Sequence, residues 1–131
     1  MAKSILPLEH EVQASIKQAL EWANFSVDHT SAFLQKGSSG VSRGIPDLLI
    51  SCRLYPHTYF GIEVKRDATK PVWSSAEQMT AAFEDRFIVV DNPTDALRGL
   101  RDWVLRMGGE PRAQGRLLAG IDRVLKGLEG K

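Results

Sequence analysis

The chain has 131 residues, 43% hydrophobic and 25% charged, the length of one compact domain and the composition of a globular one, which excludes global disorder. A net charge of +1 excludes a polycation that works by bulk charge, and a single cysteine, Cys52, excludes an internal disulfide and points to a reducing, intracellular compartment. No segment is apolar for long enough to read as a signal peptide or a membrane span.

In chain order, Leu8, Val12, Ile16, Ala19, Leu20 and Ala23 recur at helical spacing and predict a first helix from about Pro7 to Asn24. Phe25 to Leu34 reads as a strand, and the Gly/Ser-rich stretch 36–44 reads as a loop or turn. Ile45 to Cys52 is a nearly continuous apolar run, as in a strand buried on both faces, with Asp47 its one charged residue. Tyr59 to Lys65 is the next strand. Ser74 and Ser75 are N-cap candidates for a helix through Arg86, and Phe87 to Val90 is a further buried strand. A helix from Pro93 or Thr94 to about Met107 ends at Gly108-Gly109, and Ala113 to Leu128 carries one apolar stripe of a last helix. The expected fold is α/β, with helices on both sides of a sheet.

The residues that carry chemistry lie on the central strands. Glu63 and Lys65 are two apart and share one strand face. If the two strands form a hairpin, Asp47 and Glu63 meet at one end of it. Two carboxylates that close are costly to bury unpaired, and a divalent cation would neutralise them. Mg²⁺ commonly takes one or two carboxylates and keeps several waters. Lys65 would face the same pocket and could stabilise charge developing on a phosphate.

Pro46-Asp47 followed by Glu63-Val64-Lys65 resembles the PD-(D/E)XK nuclease signature. The surrounding Gly44-Ile45-Pro46-Asp47-Leu48 and Ile62-Glu63-Val64-Lys65, with Gln78 in Ser74-Ser75-Ala76-Glu77-Gln78, are similar to the VRR-NUC branch, which is related to archaeal Holliday junction resolvases. Glu9-His10-Glu11-Val12-Gln13 fits the first-helix motif of that branch. The resemblance covers about residues 9–92. It implies a restriction-endonuclease-like core, α-β-β-β-α-β. With the helix that often follows such a core, the nuclease unit is placed over 1–107, and the basic helical stretch 108–131, outside the resemblance, belongs to the same domain or serves assembly. The resemblance implies Mg²⁺ or Mn²⁺ held by Asp47, Glu63 and the main-chain carbonyl of Val64. It also implies Lys65 as the catalytic lysine, Gln78 as a helper, and Glu9 (with Glu11 as its competitor) completing the metal or water shell. The activity implied is endonucleolytic hydrolysis of DNA, with branched DNA such as a four-way junction as substrate and a homodimer as the acting species.

Each residue also has a plainer role open to it. Asp47 could cap a turn, Glu63 and Lys65 could be an exposed cross-strand pair, and Gln78 could be an ordinary polar helix residue. His10, His29 and His57 have no zinc-ligand spacing. Trp22, Trp73 and Trp103 read as packing residues, and Cys52 as a buried strand thiol. The segment Gly37 to Gly44 lacks a Gly-Lys-Ser/Thr ending and leads into a strand, so no nucleotide cofactor is expected there. Its better use is to bring Ser38, Ser39, Ser42 and Arg43 to DNA phosphates. Residues 98–131 hold eight bases and four acids, against nine and twelve in the first 97. Arg112, Arg116 and Arg123 are therefore candidate phosphate contacts, while the stripe of that helix could instead pack on the core or on a second subunit. The rival to a nuclease is a catalytically silent DNA-binding or scaffold protein of the same fold.

Overall fold

The structure is a computed structural model that describes residues 8–29, 46–67 and 87–130. The helix expected over 74–86, the loop over 36–44 and Trp73 lie outside the described residues. The elements are α1 (Glu9–Trp22), β1 (Ser26–His29), β2 (Leu48–Ser51), β3 (Phe60–Val64), β4 (Phe87–Val90), α2 (Pro93–Met107) and α3 (Pro111–Glu129).

The four strands form one mixed sheet in the order β1-β2-β3-β4. β1 and β2 are antiparallel, as are β2 and β3, and β4 runs parallel to β3. The expected hairpin between the second and third strands is therefore present. β3 is interior and all five of its residues are buried. β2 alternates between buried and half-buried positions, and in β4, the outer strand, only Val90 is fully buried. The expectation that these two runs would be buried throughout is met in part: β2 alternates with half-buried positions, and β4 is the outer strand among the described residues.

Local chemistry accounts for the element ends. Glu11 Oε1 accepts from the Leu8 N–H at 2.8 Å and closes the start of α1. Asn24, at φ 72°, turns the chain into β1, a backbone conformation that asparagine tolerates better than most residues. Asn92 caps α2 by accepting from the Asp95 N–H at 2.8 Å, Pro93 fills the first turn, and Gly108, at φ 72°, ends it. Glu110 caps α3 by accepting from the N–H groups of Arg112 (3.0 Å) and Ala113 (2.9 Å). These two bonds, with Arg116 nearby, hold its carboxyl below the ordinary carboxylate range.

One face of the sheet carries the core. Leu48 pairs with Ile62 and Ile50 with Phe60, all fully buried, and Phe60 stacks on Trp103 of α2 with ring centroids 5.3 Å apart. α1 and α2 pack together on this face, through Val12, Ile16, Leu20, Leu97, Leu100 and Val104. α3 lies over both helices and buries Gly120, Ile121, Val124 and Leu125. The apolar stripe of this helix packs on the core. Among the described residues the helices occupy one face of the sheet, so the expectation of helices on both sides is met on that face alone.

Two of the expected environments change. Trp22 is 53% exposed, because it is the last residue of α1 and projects beyond the layer that buries Leu20. Cys52 is only partly buried, packed at the margin of the core, because β2 stops at Ser51 and the thiol falls just after it. Trp103 is in the core as expected.

Candidate active site

Side chains alternate along β3, so Glu63 and Gly61 lie on the face away from α1 and α2. Continuing the register of Leu48 with Ile62 sets Asp47 directly opposite Glu63. Asp47 is not inside the strand as expected. It occupies a bend immediately before β2, where its own side chain replaces a ladder partner.

The result is a reciprocal clasp. Asp47 Oδ2 accepts from the Val64 N–H at 2.9 Å, and Glu63 Oε1 accepts from the Asp47 N–H at 3.2 Å. Lys65 Nζ lies 3.4 Å from Glu63 Oε2, with both side chains largely buried. The Lys65 N–H donates to Val90 O at 3.0 Å, so the strand end is anchored from β4 as well. Glu63 retains only 6% of its exposure, an expensive position for a carboxylate.

This donor set suits a hard divalent cation. Each carboxylate spends one oxygen on a main-chain N–H, which fixes its orientation, and each has a second oxygen. Val64 directs its N–H toward β2, and a strand residue sends its carbonyl to the same side. Two carboxylates meet here and the Val64 carbonyl is directed to the same side of the strand, a set of oxygens that would suit Mg²⁺ with its retained waters. Among the described residues, no group of three or more His, Cys, Asp or Glu side chains is gathered for a metal.

Chain direction places the other candidates. β1 pairs His29 with Leu48, so its far end, Ser26, and the adjoining C-terminus of α1 lie away from the clasp. α1 therefore emerges at the clasp end with Glu9, whose side chain is exposed. Glu11 is engaged in capping. Gln78, Ser38, Ser39, Ser42 and Arg43 lie outside the described residues.

The arginines of α3 are elsewhere. α2 leaves the clasp end just after β4, and α3 returns antiparallel to it. Gln114 bonds Val104 O at 3.0 Å, Arg101 pairs with Asp122 at 2.9 Å and Arg98 with Glu129 at 2.7 Å. Arg112 and Arg116 consequently sit near the C-terminus of α2, at roughly 1.5 Å per residue some 20 Å along that helix from the clasp. Arg123 donates to Trp22 O at 3.3 Å, against the end of α1 that is also remote. The structure does not bring these three together with the carboxylates. The cue was present in the sequence: a link as short as Gly108-Gly109-Glu110 makes consecutive helices antiparallel neighbours.

A basic residue overlooked in the sequence stands nearer. Arg66 follows Lys65 directly and is exposed. Its signal was adjacency to the Glu63-Val64-Lys65 motif. Asp91 lies at the same end after β4, where its Oδ1 accepts from Asn92 Nδ2 at 2.7 Å. No helix among the described residues is long and apolar enough to cross a membrane. No family model, curated protein or solved structure matches this chain.

Proposed function

We propose that the chain is a metal-dependent endodeoxyribonuclease with a restriction-endonuclease-like core, hydrolysing phosphodiesters of branched DNA as a two-fold symmetric homodimer. The supporting observation is the clasp: Asp47, Glu63 and Lys65 meet in a buried corner at a strand end. A clasp built only for stability would gain more from apolar side chains, since buried charges repay their desolvation only in favourable geometry.

Asp47, Glu63 and the Val64 carbonyl would hold Mg²⁺ or Mn²⁺, which when bound supplies charge stabilisation at a phosphoryl oxygen and a more acidic water. The main-chain bonds to both carboxylates keep them oriented before substrate arrives. Lys65, restrained by Glu63, offers a positive charge to the phosphate oxygens as charge grows on them. Water attacks phosphorus in line, the bond to the 3′ oxygen breaks, and a 5′-phosphate remains. Glu9, at the same end of the molecule, would orient water. Gln78 is the proposed further helper. Resolving a junction needs two cuts, and a two-fold dimer supplies two sites.

The silent-scaffold reading has one observation in its favour: both carboxylates already bond to main-chain N–H groups, as structural caps do. Cleavage of labelled linear, nicked, flap and four-way-junction DNA with Mg²⁺, Mn²⁺ or EDTA separates the two. Metal-dependent cleavage lost in Asp47→Asn supports the nuclease. Binding without cleavage in every metal supports the scaffold.

A further inference from the structure

We infer that the groove between the end of α1 and the last turns of α3 is a second nucleic-acid site, taking a base of single-stranded DNA on Trp22 and the adjoining phosphate on Arg123. The choice of DNA as the anion rests on the nuclease reading, while the groove itself stands apart from the clasp. Trp22, Arg123, Val124, Gly127 and Leu128 line an open space of about 380 Å³. Trp22 is the most exposed of the large hydrophobic side chains among the described residues. A ring left in water adds nothing to the core and offers a flat apolar face to a partner. Val124 is buried and Leu128 half-buried beside it, and Gly127 has open space where a side chain would stand.

Charge selects the partner. Arg123 is exposed and donates to Trp22 O at 3.3 Å, a neutral acceptor that holds the guanidinium at the groove without cancelling its charge. Lys126 is exposed one turn further along α3. The nearby acids are engaged elsewhere: Asp122 pairs with Arg101, Glu129 with Arg98, and Glu21, next to Trp22, with Lys17. The groove thus joins an aromatic face to positive charge, and every nucleotide carries the matching ring and phosphate. Bases of any identity stack on an indole, and the cation takes the backbone beside them. A peptide would need an acid and an aromatic placed to match, and a second copy of the chain would bring two more cations to the same rim. The groove lies at the C-terminus of α1, 14 residues and roughly 20 Å along that helix from the clasp end, so it holds a strand away from the place of cutting.

The test is anisotropy with a labelled thymidine oligonucleotide and an abasic strand of the same length, in EDTA and over a range of salt. The proteins compared are wild type, Trp22→Ala, Trp22→Phe, Gly127→Leu and Arg123→Ala. One stacked base should make wild type bind the thymidine strand roughly 5- to 150-fold tighter than the abasic one. Trp22→Ala should lose that preference and Trp22→Phe should keep part of it. Gly127→Leu, which fills the groove from an exposed helix position, should lose it too, and covers the case in which Trp22→Ala fails to fold. Arg123→Ala should flatten the log–log salt slope by about 0.7. Equal binding of the two strands by wild type, or a preference that survives both Trp22→Ala and Gly127→Leu, overturns the site and leaves the nuclease standing. The expected preference in a protein that cleaves no DNA in any metal overturns the nuclease and leaves the site. A dimer in sedimentation that Trp22→Ala dissolves, with the strand preference unchanged, gives this face to a second copy and overturns the site.

Discussion

The hairpin of β2 and β3 has two unlike ends. At the turn end, Tyr55 lies edge-on to Trp103 (5.2 Å between centroids), and its hydroxyl donates to Gly108 O at 2.7 Å, so the hairpin is bolted to the C-terminus of α2. At the open end, Glu63 is buried opposite Asp47, and the bonds there join carboxylates to main-chain N–H groups. The first end is built as a core is built. The second keeps charge where an apolar side chain would cost less. Such a local conflict between burial and chemistry marks a functional site more often than a structural one.

The sharpest way to break this contrast is at the open end. Asp47→Ala or Glu63→Ala should reduce cleavage by about 10³-fold or more, since each removes a ligand whose charge stabilisation is of several kcal/mol. Mn²⁺ calorimetry should show metal affinity falling in both, whereas Lys65→Ala should lose cleavage and keep the metal. At the turn end, Trp103→Ala should leave a cavity and cost about 3–5 kcal/mol in urea unfolding. Glu63→Gln keeps the volume but leaves the largely buried Lys65 ammonium without its anionic partner, and should also destabilise, by up to about 3–5 kcal/mol.

A smaller effect tests the bolt. Tyr55→Phe should cost about 1 kcal/mol through the lost bond to Gly108 O. Burial, and secondarily the Cys52 thiol, raises the Tyr55 hydroxyl above its usual pKa of 10.0. Its contribution is thus complete below that value and lost as pH rises through the raised one. Wild type and Tyr55→Phe should converge in stability under alkaline conditions. The smallest effect is in α3. Gly115→Ala and Gly127→Ala meet open space and should each add about 0.5–1 kcal/mol of helix stability. Gly120→Ala should not, because its new methyl would lie 3.2 Å from Ala23 O.

Helix ends were legible because their signals are local: Asn92, Pro93 and Gly108 bound α2 at the expected Pro93–Met107. β4 was legible as a short apolar run between a predicted helix and Asp91-Asn92-Pro93, and the meeting of Asp47 and Glu63 followed from strand alternation and a hairpin. The bend that puts Asp47 outside β2 was not legible, since an apolar run does not say where its ladder begins. Nor was the exposure of Trp22, which depends on how far neighbouring layers extend past a helix end. The remote position of Arg112 and Arg116 arises from antiparallel packing of two helices, and charge counting along a chain is blind to direction.

The contact of α3 with α1 bears on the order in which the molecule assembles. Arg123 reaches Trp22 O across 101 positions, and Gly120 abuts Ala23 at the same crossing. Synthesis runs from the N-terminus, so α1 emerges long before the helix that covers its outer side. The sheet and the carboxylate corner draw only on earlier residues and on α1 and α2, and can form while α3 is still being made. Closing so long a span adds little further entropy for each extra residue, yet it must wait for the last helix. A released chain truncated before residue 111 would therefore keep every described residue of its proposed site and leave the outer apolar surface of α1 and α2 uncovered, the form most in need of a chaperone.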